Sequence, residues 1–117
     1  MPIELDHVKY VTARSYAEGT YKRLKGLERV AVFIRHVPIK AGTELPIGRK
    51  KYKVEQDSYL VFIDLKHDAN FAHPVLYELH NVKDGNVTVI EEQFPIADPE
   101  IERSLIPHIL PDKERRK

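Results

Sequence analysis

Two histidines and two aspartates, Asp64, His67, Asp68 and His73, fall within ten residues of one another in a chain of 117. Neutral imidazole and carboxylate are common ligands of zinc, iron and manganese, so a loop carrying them could wrap one divalent ion. Their spacing matches no established signature. The competing view makes His67 and Asp68 solvated loop residues, with His73 simply preceding Pro74 at a strand start. A divalent metal is thus an open cofactor, and nothing in the chain implies one strongly.

A second cluster comes from expected strand register. Val75–Val82 and Val87–Phe94 read as two strands joined at Asp84-Gly85, a dipeptide that suits the positive φ angles of a tight primed turn. Setting Val82 opposite Val87 puts Glu78 opposite Glu91, with His80 on the same face. Facing carboxylates can raise one pKa for acid–base work, or hold a cation together with His80. Alternatively both splay into water, where exposed charges contribute little.

The basic stretch Arg49, Lys50, Lys51 and Lys53 surrounds Tyr52, as in surfaces that meet phosphates and stack a base. Tyr52 and Val54 nevertheless alternate with Lys51 and Lys53. That is the pattern of an edge strand whose lysines block further pairing, and it is the favoured reading. No serine sits in a nucleophile elbow, and the glycines Gly42, Gly48 and Gly85 are too scattered to cradle a phosphate.

The positioning elements follow from periodicity. Ile3–Thr12 is expected as a first strand with a slipped alternation. Ser15-Tyr16-Ala17-Glu18 has the form of a capping box, opening a short helix over Ala17, Tyr21 and Leu24 that stops at Gly26. Arg29–Val37 is apolar on both faces and belongs inside a sheet. Pro38–Gly48 reads as an exposed loop with at most a short edge strand at Thr43-Glu44-Leu45. Lys51–Val54 and Tyr59–Leu65 are strands joined by a turn at Glu55–Ser58, the latter strand being the sheet's centre. Val75, Tyr77, Leu79, Ile90 and Phe94 should face the core together. Asp98-Pro99-Glu100 opens a second helix, with an N-cap acid and proline at the first helical position; Ile101 and Leu105 line it, and Pro107 ends it.

Composition bounds the rest. The chain is long enough for one cored domain, expected over residues 1–111, with a charged flexible tail over 112–117. It has no cysteine, which removes disulfides, thiolate metal sites and thiol nucleophiles. No apolar run approaches the ~20 residues of a membrane span, and no signal peptide opens the chain, so a soluble cytoplasmic protein is expected. Nineteen basic against eighteen acidic residues give no net field to gather nucleic acid. The charge-rich, cysteine-free composition leans toward a thermophilic source.

The expected fold is α+β and β-rich: a mainly antiparallel sheet of about six or seven strands with one or two short helices, the first two strands parallel through a crossover. An immunoglobulin-like β-sandwich is the alternative. The expected role is a non-enzymatic binding or assembly module working through protein–protein contacts, including self-association. A metal-binding protein or metal-dependent enzyme using the 64–73 connector comes second. Weak nucleic-acid binding through residues 49–53 comes third.

Overall fold

The computed structural model describes residues 2–18, 30–65 and 73–110. Its elements in chain order are α1 (Leu5–Ala17), β1 (Ala31–Arg35), β2 (Glu44–Ile47), β3 (Lys50–Lys53), β4 (Ser58–Asp64), β5 (Val75–Asn81), β6 (Val87–Glu92), α2 (Pro99–Arg103) and β7 (Leu105–Ile109). Five strands form one sheet in the order β6-β5-β4-β1-β7, and β2 pairs with β3 in a second, two-stranded sheet. Every pairing is antiparallel. The fold is therefore α+β and β-rich, with seven strands and two short helices among the described residues. Neither helix is long and apolar enough to cross a membrane.

β4 occupies the middle of the large sheet, as its continuous apolar run requires. β1, β4 and β5 are buried on both faces, so the sheet needs a cover on each side. On one face Leu60, Val75, Tyr77, Leu79 and Ile90 pack against Leu45, Ile47 and Val54 of the β2–β3 unit, together with Ile96 and Ile101. On the other face Val32, Ile34, Val61, Ile63 and Leu76 pack beneath Val8 of α1.

The first element is thus a helix where a strand was expected. Leu5, Val8, Thr12 and Tyr16 recur at helical spacing, and the cover of the second face needs one apolar stripe. Val8 and Thr12 are buried, whereas Tyr10, which a strand would place beside Val8, is exposed. Asp6 lies in the first turn, near the positive end of the helix dipole. Ser15 sits inside α1 and caps nothing, since the helix already runs from Leu5 to Ala17. The expected helix beyond it, through Tyr21, Leu24 and Gly26, lies outside the described residues. With no first strand, there is no parallel crossover either.

Two further expectations are corrected. β3 and β4 belong to different sheets, so Glu55–Ser58 is a crossing segment instead of a hairpin turn. The hairpin partner of β3 is β2, and Gly48 at φ +60° starts its two-residue turn. A Cβ there would lie 2.6 Å from the Phe94 ring, so only glycine fits. The preceding loop is also less exposed than expected, with Ile39, Leu45 and Ile47 buried.

α2 begins as its sequence dictates: the Asp98 side chain accepts hydrogen bonds from the Glu100 and Ile101 amides, and Pro99 takes the first helical position. It stops at Arg103, and Leu105 starts β7 instead of extending the helix. Pro107 lies within that strand and pairs opposite Phe33 at the sheet's edge, where a missing N–H costs little.

α1 and β7 are tied where the His108 Nε2–H donates to the Lys9 carbonyl at 3.2 Å. Burial lowers the His108 pKa below its usual 6.5, outweighing the opposite pull of the Lys9 carbonyl; the Lys9 charge lowers it further. The unfolded chain thus takes up this proton first. The penalty on folding is absent above pH 6.5 and grows as pH falls through that value. Wild type should lose more melting temperature than His108→Gln between pH 7.5 and 5.5; parallel losses would remove His108 as the cause.

Candidate functional site

The β4–β5 hairpin closes with Asp64 opposite Val75, which brings His73 alongside Asp64. The His73 Nε2–H donates to Asp64 Oδ1 at 2.6 Å, and both side chains are only 13% exposed. Charge-assisted bonds of this kind fix an imidazole's orientation, as in histidines held for proton transfer or metal ligation. His67 and Asp68 lie outside the described residues. Among the described residues no group of three or more His, Asp or Glu side chains gathers as a metal site.

Asp64 lies in a cross-strand row with Ala31, Val75 and Glu92. The adjacent row on the same face is Phe33, Phe62, Tyr77 and Ile90. The three rings stack, with centroids 5.9 Å apart for Phe33–Phe62 and 5.0 Å for Phe62–Tyr77. The Tyr77 hydroxyl donates to the Phe94 carbonyl at 2.8 Å. Burial, then the charges of Glu92 and Asp64, push the Tyr77 phenol far above its ordinary range, so it stays protonated. Its role is in packing. Tyr52 gives its hydroxyl to Glu92, which raises its pKa as well.

The second predicted cluster divides. β5 and β6 do pair, but Glu78 lies opposite Val89 and Glu91 opposite Leu76. The register differs by two residues from the expected one. Asn81 bonds to Asn86, and Val82–Gly85 form a four-residue loop with Gly85 at φ +77°. Glu78 and His80 do meet, with His80 Nε2 3.0 Å from Glu78 Oε1 and His80 almost wholly buried. Glu91 is not part of that pair. Phe94, expected in the core, is 45% exposed, beyond the end of the shortened ladder.

The basic stretch is a turn residue and the edge strand β3. Arg49, Lys50, Lys51 and Lys53 are all exposed on or beside β3. Tyr52 points inward against the core, so its ring is not presented for stacking. Lys50 Nζ lies 4.0 Å from Glu92.

Two recesses mark the surface. One, of about 500 Å³, is bordered by Pro2, Gln56, Asp57, Asn81, Val82 and Lys83. Two of its polar atoms hold neighbouring backbone: Asp57 Oδ1 accepts the Ala41 amide, and Asn81 Oδ1 accepts that of Lys83. The other, of about 220 Å³, lies over Phe33, Phe62 and Tyr77 between Ile96, Glu102 and Leu105. It is smaller than ordinary ligand pockets of about 300–1,000 Å³.

The sheet's edges supply the feature that motif reading missed. β7 carries Pro107, β2 carries Pro46, and β3 carries three lysines, all devices that discourage pairing. β6, with the sequence Val87-Thr88-Val89-Ile90-Glu91-Glu92, carries neither proline nor lysine. It ends the sheet among the described residues, and Val87, Thr88 and Val89 are exposed. A β-branched run without lysine or proline was the signal available in the sequence. Scans of protein-family models, curated proteins and solved structures each find no match for this chain.

Proposed function

We propose that this chain is a soluble cytoplasmic assembly module, without catalytic chemistry of its own, that captures an extended protein segment by strand addition along β6. The cytoplasmic placement rests on the sequence expectation alone. The observation that carries the reading is the contrast among edges: three carry proline or lysine, whereas the Val87-Thr88-Val89 half of β6 carries no charge or proline and is exposed among the described residues. Strand addition draws affinity from backbone hydrogen bonds and selectivity from alternate side chains. Val87 and Val89 supply the apolar positions, 42% and 54% exposed.

A random ten-residue peptide library displayed on phage tests this. Selected peptides should be rich in alternating β-branched residues and should lose binding to Val89→Pro, which removes an edge donor. Peptides that bind Val89→Pro as well as wild type would overturn the reading.

A second reading, a divalent-metal site in the connector, draws on the Asp64–His73 contact. It predicts metal in elemental analysis of native protein that disappears in His73→Ala. Metal-free native protein whose melting ignores added zinc and manganese would dispose of it.

A further inference from the structure

We infer that the recess over Phe33, Phe62 and Tyr77 binds a small aralkylamine, its ring on the aromatic row and its ammonium group on the Glu102 carboxylate. No residue of β6 lines this recess, so the site stands or falls apart from strand capture.

Shape sets the size of the ligand. The recess holds about 220 Å³. An apolar cavity of ~150 Å³ accepts benzene, so there is room for one ring and a short arm. Successive rings of the floor lie 26° and 25° from parallel and offer one aromatic surface. Ile96 and Leu105 add apolar walls. Water in such a recess finds few hydrogen-bond partners, and an apolar group that displaces it gains affinity. The Tyr77 hydroxyl already gives its proton to the Phe94 carbonyl.

Charge sets the sign of the ligand. Glu102 is the one charged side chain among the residues that line the recess. Among the described residues its carboxylate has no hydrogen bond or ion pair. Its field reaches the floor: after burial, the charges of Glu92, Asp64 and Glu102 all push the Tyr77 phenol up. A potential that resists a phenolate favours a cation and repels an anion. Asp64 already holds His73, and Glu92 holds Tyr52 beside Lys50, so Glu102 is left to meet the ligand. Arg35, opposite Leu105 in the β1–β7 pairing, does not line the recess. Its guanidinium holds Ser104 Oγ and the Val37 and Pro38 carbonyls.

A neutral ring would cover Glu102 without pairing it, and an unbranched alkylamine would leave the aromatic floor wet. A ring bearing an ammonium group satisfies both.

Titrating the isotope-labelled full chain with benzylamine at pH 7, followed by two-dimensional NMR of the backbone amides, tests this. Shifts should concentrate at Phe33, Phe62, Glu102 and Leu105, with a Kd of about 1 mM for so small a ligand. Benzyl alcohol and butylamine should each bind at least about fivefold more weakly, and benzoate more weakly still. Glu102→Gln should weaken benzylamine about fivefold, whereas Glu100→Gln, on α2 but outside the recess, should leave it unchanged. Leu105→Trp fills the recess and should abolish binding.

No shifts by about 20 mM benzylamine overturn the inference, as do shifts centred away from Glu102 and Leu105. Benzyl alcohol or butylamine binding as well as benzylamine would also overturn it, by removing the charge or the ring from recognition. So would an unchanged Kd in Glu102→Gln, an equal loss in Glu100→Gln, or a folded Leu105→Trp that still binds.

Discussion

Val8→Asp is expected to remove at least about 3 kcal/mol of stability, whereas Tyr10→Asp should change it by no more than about 0.5 kcal/mol. Residues two apart on a helix point to opposite sides, while on a strand they share a face. Val8 is fully buried on the inner face of α1, packed with Val30, Val32, Ile34, Val61 and Ile63, and aspartate there would have no countercharge from these neighbours. Tyr10 is 63% exposed, and aspartate there would sit one helical turn before Arg14. Against a typical total of about 5–15 kcal/mol, the first substitution takes a large fraction of what holds the domain together. Urea unfolding followed by circular dichroism measures both. Equal losses would mean that residues 5–12 are not a helix laid on the sheet.

The second large effect concerns the aromatic row. Tyr77→Ala should cost about 3–5 kcal/mol, because it removes a ring stacked on Phe62 and buried to 1% exposure. For a domain of this size that is a fall of about 10–20 °C in Tm. Tyr77→Phe keeps the ring and loses only the hydrogen bond to the Phe94 carbonyl, costing about 1 kcal/mol. Phe94 is exposed, so water can reach its carbonyl once the phenol is gone. Similar losses for both variants would shift the credit from packing to the hydrogen bond. A loss under about 1 kcal/mol for Tyr77→Ala would deny the row its place in the core.

Of the candidate sites, the Asp64–His73 contact was legible because both residues flank one hairpin, and strand ends bring their neighbours together. Glu78 with His80 was legible for a simpler reason: residues two apart on a strand share a face. Glu91 was not, because its opposite number depends on loop length. Asn81, Asp84 and Asn86 side chains bond into the Val82–Gly85 loop, lengthening it beyond a two-residue turn. The slip was two residues, an even number, so the inward faces of Val75, Tyr77, Leu79 and Ile90 survived while their partners changed.

α2 shows the same division. Its start was written in Asp98-Pro99-Glu100, since a cap is made by neighbours in sequence. Its end was decided by β1, whose open side takes up Leu105–Ile109 as an edge strand and tolerates Pro107 there.

Side-chain parity and the two-faced apolarity of β1, β4 and β5 were fixed by local chemistry, and these required a sheet covered on both sides. Which segments became the covers was settled only by tertiary packing: α1 for one face, and β2–β3 with Ile96 and Ile101 for the other. A β-branched run such as Val8–Thr12 suits strand or helix almost equally, and the deciding free energy is the burial each offers against distant residues. The exposed Val87-Thr88-Val89 edge of β6 belongs to the same class. Its residues could be read from the chain, but their exposure depends on strand order, which no local pattern contains.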